Sequence, residues 1–170
     1  MEKAEREKRI MEKVKLEEEL DRFATETIRA QMLQYLKADR GYGDGELEMD
    51  PQFSVDGKPS SVDFIITVDG KRLMAVKCAP TALESRERHI LAFCRVVEDC
   101  LIPMAVVTDG TEARILDTAT GRLISGAMEG IPMRDGLDMS AFAFIRCPEE
   151  RLEKEKRILC AYDAIGCPRQ

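Results

Sequence analysis

Val62-Asp63-Phe64-Ile65-Ile66-Thr67-Val68-Asp69-Gly70-Lys71-Arg72-Leu73-Met74-Ala75-Val76-Lys77 decides how this chain is read. Two apolar runs meet at Asp69-Gly70, a dipeptide suited to the positive φ angles of a two-residue hairpin turn. The first run opens on one acid, Asp63, and the second closes on one base, Lys77, set between Val76 and Cys78. Side chains alternate along a strand with period two, so position 75 shares the face of Lys77. That position holds Ala75.

Working outward, residues 47–55 read as a further strand, with Asp56-Gly57 as a turn, so three antiparallel strands are expected over 47–55, 62–68 and 72–78. Ala79-Pro80-Thr81 breaks the sheet, and residues 83–100 carry helical periodicity. Leu83, Ile90, Leu91, Phe93, Cys94 and Val97 fall near one side, and Glu84, Glu87, Arg88, Arg95 and Glu98 near the other. Residues 104–108 are apolar throughout, as in a buried strand parallel to its neighbour across a helical crossover. Residues 112–117 and 122–124 follow as strands, 126–140 as an irregular excursion and 141–146 as an edge strand. Residues 149–164 form a last helix with an acidic first turn. Upstream, residues 2–22 alternate Glu, Lys and Arg around a thin apolar stripe, a solvated helix with a partial contact face. A second helix spans residues 24–38, capped by Thr25 and ended by Gly41-Tyr42-Gly43-Asp44-Gly45. The expectation is an α/β fold, a mixed β-sheet flanked by helices, with a charged N-terminal helix at 1–22, a central domain at 23–147 and a C-terminal helix at 148–170.

The chain has 170 residues, 44% of them hydrophobic and 34% charged, which fits a folded domain rather than disorder. No apolar run approaches the ~20 residues that span a bilayer, and the charged N-terminus is unlike a signal peptide, so a cytoplasmic protein with no membrane partner is expected. Six cysteines occur without a Cys-x-x-Cys pair, and there is one histidine, His89, so reduced thiols are expected and a zinc site is not. The net charge of −6 places any contact with nucleic acid in a locally basic cleft.

Magnesium-dependent phosphodiester hydrolysis needs hard oxygen ligands, an attacking water and a cation near the developing charge. Two carboxylates on adjacent strands share the ion, and a lysine beside them orients or deprotonates the water. Asp63 and Lys77 supply two of those three parts, and Ala75 stands where the second carboxylate belongs. Lys77 is costly to bury unpaired, so Asp63 is its expected partner whether the site is chemical or structural.

On these elements the chain resembles the N-terminal nuclease domain of type I restriction enzyme R subunits, within the PD-(D/E)xK superfamily. The resemblance covers roughly residues 25–126. It rests on Glu26-Thr27-Ile28-Arg29, Gly41-Tyr42, Asp63-Phe64-Ile65-Ile66, Ala75-Val76-Lys77-Cys78-Ala79-Pro80, Val106-Val107-Thr108-Asp109-Gly110 and Ile115-Leu116-Asp117. It implies a restriction-endonuclease-like fold, with Asp63 as the metal-binding aspartate, Lys77 as the catalytic lysine and Glu26 as the assisting acid of the leading helix. The family pattern has Glu-x-Lys where this chain has Ala75-Val76-Lys77. Its Gln-x-x-x-Tyr pair near the DNA corresponds to His89 and Phe93 here. Two departures in two motif elements imply a DNA-associated domain that has lost cleavage and needs no cofactor. A second reading keeps an active magnesium endonuclease, with Glu84 or Glu87 supplying the missing carboxylate. A third makes the protein a non-enzymatic scaffold that forms a homodimer through its N-terminal helix. No Gly-Lys-Ser or Gly-Lys-Thr loop is present, so no helicase motor is expected within these residues.

Overall fold

The computed structural model describes residues 2–166. A helix, α1 (Glu2–Gln34), leads into a π-helical turn at Tyr35–Asp39. Strands β1 (Leu47–Met49), β2 (Gln52–Val55), β3 (Lys58–Ser61), β4 (Phe64–Val68) and β5 (Lys71–Cys78) follow. After them come α2 (Leu83–Val96), β6 (Met104–Thr108), β7 (Ala113–Asp117), β8 (Leu123–Ser125) and α3 (Glu149–Gly166). Six strands form one mixed sheet in the order β1-β4-β5-β6-β7-β8, and β2 and β3 make a separate hairpin. Among the described strand pairs only β5–β6 is parallel, with α2 as its crossover. The α/β class read from the sequence is the class observed.

The Asp69-Gly70 turn forms as its chemistry requires, with φ of 51° and 75°, and Asp56-Gly57 repeats the solution at 50° and 76°. The sheet buries both faces. Ile28, Met32 and Leu36 of the N-terminal helical segment cover one, against Phe64, Ile66, Met74 and Val106. On the other, Ile90 and Phe93 of α2 and Leu159 of α3 pack with Ile65, Ala75 and Val107. Tyr35 and Tyr42 donate their hydroxyls to the carbonyls of Met128 and Pro132, both at 2.9 Å, and so tie down the irregular excursion.

Several elements differ from expectation. The two expected N-terminal helices are one: nothing between Arg22 and Thr25 breaks a helix, and the Thr25 hydroxyl donates to the Asp21 carbonyl inside it instead of capping a new start. The expected strand at residues 47–55 is divided between two sheets, because Asp50 takes a positive φ of 49° and Pro51 follows. The polar strand β3 carries no apolar signal and was not expected. Helix α2 ends at Val96, short of residue 100, and residues 141–146 form no strand. Cys78, Cys94, Cys100, Cys147 and Cys160 are free thiols, and Cys167 lies outside the described residues. No described helix is long and apolar enough to cross a membrane.

One buried acid of α3 reaches two arginines of α2. Glu155 is 3% exposed and accepts two hydrogen bonds from Arg88, at 2.7 and 2.8 Å, and one from Arg95 at 3.0 Å. Burial works against the charged form, but the two guanidiniums outweigh it and hold the Glu155 carboxyl below its ordinary value of 4.5. A carboxyl with a depressed folded-state pKa contributes stability above its unfolded value, and the contribution is lost as pH falls through the folded value. Unfolding in urea at a series of pH values should therefore show wild-type stability falling below about pH 4.5, with a shallower fall in Glu155→Gln. Glu155→Ala leaves two guanidiniums facing each other and should cost about 3 kcal/mol at neutral pH; a change within error would show that α3 is not held by this cluster.

Candidate functional site

Asp63 lies one residue before β4, and Lys77 is the penultimate residue of β5. The β4–β5 register pairs Phe64 with Val76 and Ile65 with Ala75. Antiparallel pairing carried one step further sets Asp63 beside Lys77, on the face shared with Ala75. The Lys77 ammonium is 3.9 Å from Asp63 Oδ2, so the two groups expected to converge do so.

The rest of the Asp63 shell is also protein. Oδ2 accepts a 2.7 Å hydrogen bond from the Cys78 amide. Oδ1 faces the Arg29 guanidinium, whose Nε is 3.3 Å away at ion-pair rather than hydrogen-bond geometry. Arg29 comes from α1 and also pairs with Asp50 at 2.5 Å and Glu26 at 3.1 Å. Main-chain bonds fix the acid as well: its N–H donates to the Val76 carbonyl, and its carbonyl accepts from the Asp50 amide. Asp63 is 7% exposed. Burial pushes its carboxyl above the ordinary 3.8, and Lys77, the Cys78 amide and Arg29 pull back against that rise. Burial also disfavours the Arg29 charge, but Asp50 and Asp63 outweigh it and hold the guanidinium above its ordinary value. The Cys78 thiol, buried beside the same carboxylate, is pushed up and is no nucleophile at neutral pH.

The other sequence-predicted residues scatter. Glu26 reaches the site only through Arg29, one helical turn along α1. Glu84 and Glu87 turn to Arg114 on β7, at 3.8 and 2.5 Å, not toward Asp63. His89 is buried, stacked on Tyr162 with ring centroids 5.2 Å apart, and its Nε2 is 3.0 Å from Asp163. Phe93 is wholly enclosed, edge-on to Phe53 at 5.3 Å, and has no surface to offer a nucleic acid. Arg29 and Asp50 were not foreseen at the site. The only sequence signal was the Glu26–Arg29 spacing.

A magnesium ion fits this donor set poorly. Ala75 is inaccessible and brings no oxygen, and a guanidinium occupies the approach to Asp63 Oδ1. Among the described residues, no three His, Cys, Asp or Glu side chains converge in a metal-holding group. Two cations and one amide face the buried carboxylate and offset part of the cost of its burial. Arg29→Ala removes one of those cations, so the Asp63 carboxyl should titrate at higher pH than in wild type when followed by carboxyl-carbon NMR. An unmoved titration would show that the guanidinium does not act on Asp63.

The comparisons with known proteins bear on this site. No curated protein and no solved structure matches the chain. A family model described as type I restriction enzyme R protein N terminus matches residues 24–132, the stretch that holds Arg29, Asp50, Asp63, Ala75 and Lys77. That span takes in most of the chain, which therefore belongs to the family of type I restriction enzyme R protein N termini.

Proposed function

We propose that this is a DNA-associated domain of restriction-endonuclease-like fold in which phosphodiester cleavage has been lost. One observation carries the reading: at the position of the nuclease acid pair, Ala75 is inaccessible and Arg29 lies against Asp63. Metal-assisted hydrolysis draws its rate from charge neutralisation at the scissile phosphate and from a metal-activated water. With one carboxylate, already faced by two of the protein's own cations, neither is supplied on this reading. Family membership supports the association with DNA, and the overall charge of −6 confines it to a local basic surface. Lys77 and Arg86, which line one cavity, are the cations best placed for it. Wild type and Asp63→Ala should both leave plasmid and linear DNA at the no-protein background in magnesium or manganese. A filter-binding or anisotropy assay should detect DNA binding that weakens as salt rises. Metal-dependent cleavage by wild type that Asp63→Ala abolishes would overturn the loss of catalysis.

A second reading, an oligomeric scaffold, is favoured by α1. Ile10, Met11, Val14, Leu16, Leu20 and Phe23 are all exposed on it. On that reading, removing the residues before Arg22 converts a concentration-dependent dimer into a monomer by light scattering. An unchanged mass would reject it.

A further inference from the structure

The exposed apolar residues of α1 point in different directions. Ile10 and Val14 fall in line with Ile28 and Met32, the α1 side chains that the core buries. Leu16, Leu20 and Phe23 follow one another at spacings of four and three and are all exposed, Phe23 by 74%. At 3.6 residues per turn their stripe lies about 130° around the helix from Ile28 and Met32. The side of α1 that meets the sheet is therefore not the side that carries the stripe. The stripe precedes residue 24, where the family match begins, so it lies outside the family domain. Two leucines and a phenylalanine at this spacing form the apolar seam of a helix that packs on another helix.

The charges beside the seam decide what covers it. Glu12, Glu19 and Glu26 recur every seven residues and line one rim, and Glu17 stands on the other. Lys13 pairs with Glu17 at 3.8 Å and Arg29 with Glu26 at 3.1 Å, while Glu12 and Glu19 make no ion pair among the described residues. A second copy fits this seam badly. Laid antiparallel, it sets Glu12, Glu19 and Glu26 along the same three residues of the other copy; laid parallel, it sets Glu12 beside Glu17. Like charges across a seam work against pairing as unlike ones work for it. The same acids repel a nucleic-acid backbone and an anionic membrane.

We propose that the Leu16, Leu20 and Phe23 stripe docks an amphipathic helix of another protein whose apolar seam is bordered by Lys and Arg. The two leucines and Phe23 supply the buried apolar area, with the aromatic ring as the anchor. Basic side chains of the partner lay their stems over the edges of the seam and carry their heads to Glu12, Glu17 and Glu19. The inference is independent of the DNA reading, and it gives this face of α1 a different occupant from the scaffold reading.

The test uses the full chain and two labelled synthetic peptides, each about four heptads long with leucines along the seam, one bordered by lysines and one by glutamates. Fluorescence anisotropy gives the affinities, and light scattering gives the mass of the chain alone. The lysine-bordered peptide should bind about tenfold more tightly, the order that a few rim pairs contribute, and the gap should narrow as salt rises. Leu20→Ser and Phe23→Ser should each weaken its binding about tenfold. Glu12→Lys combined with Glu19→Lys should reverse the preference, and Ile124→Ser, exposed on β8, should leave it unchanged. Thermal unfolding of each variant separates a lost contact from a lost fold. A preference for the lysine-bordered peptide that survives both Leu20→Ser and Phe23→Ser is attraction to charge alone and overturns the proposal. Equal binding of the two peptides, or binding of neither, overturns it as well. A mass that doubles with concentration and returns to the monomer in Leu20→Ser gives the stripe to a second copy, so the proposal falls and the scaffold reading stands. A chain that stays monomeric while the lysine-bordered peptide binds in a Leu20-dependent way supports the proposal and sets the scaffold reading aside.

Discussion

A single carboxylate joins the parts of this domain that the backbone alone would leave separate. Asp63 touches β5 through the Cys78 amide and Lys77, and α1 through Arg29. Its own amide and carbonyl bond Val76 and Asp50. The strand end, the central strand and the leading helix are therefore mutually positioned by one buried charge. Burying a carboxylate carries a large desolvation cost, repaid only when several donors converge on it. That constraint explains why the surrounding residues are cations and amides and not solvent. The carboxyl still titrates above its ordinary value, so the compensation is incomplete.

The same constraint gives a physical meaning to the departure from the family pattern. A nuclease site keeps two acids close together and relies on a divalent ion to make that tolerable. Here Ala75 is part of the apolar layer with Ile65, Ile90 and Phe93, at 0% exposure. With one acid, a guanidinium and an ammonium offset part of the burial cost, and the carboxyl stays above its ordinary value.

Local chemistry was legible and long-range chemistry was not. Asp69-Gly70 specifies its turn by backbone sterics, residues 104–108 announce a buried strand by unbroken apolarity, and period two places Ala75 and Lys77 on one face. Each is a statement about neighbours in sequence, and each holds. The strand at residues 47–55 was misjudged because Leu47, Met49, Phe53 and Val55 keep a period of two across it, while the break depends on Asp50 entering the left-handed region beside Pro51. Strand β3 escaped because Lys58, Pro59, Ser60 and Ser61 look like a loop until the hairpin pairs them. Arg29 could not be foreseen as the partner of Asp63, since an arginine on a charged helix reads as solvated. Only the packing of Ile28 and Met32 against the sheet brings it inward. His89 and Phe93 were placed by motif correspondence, and a correspondence in sequence carries no information about burial.

The unbroken course of α1 has a mechanical consequence. Residues 2–23 bury no side chain, so about 33 Å of helix, at 1.5 Å per residue, stands clear of the core. Arg29 is part of the same hydrogen-bonded rod, less than two turns beyond that stretch. A helix transmits torque and axial load along its length far better than a loop. Whatever grips the distal turns thus holds a lever whose short arm carries Ile28 against the sheet and Arg29 against the Asp63 carboxylate.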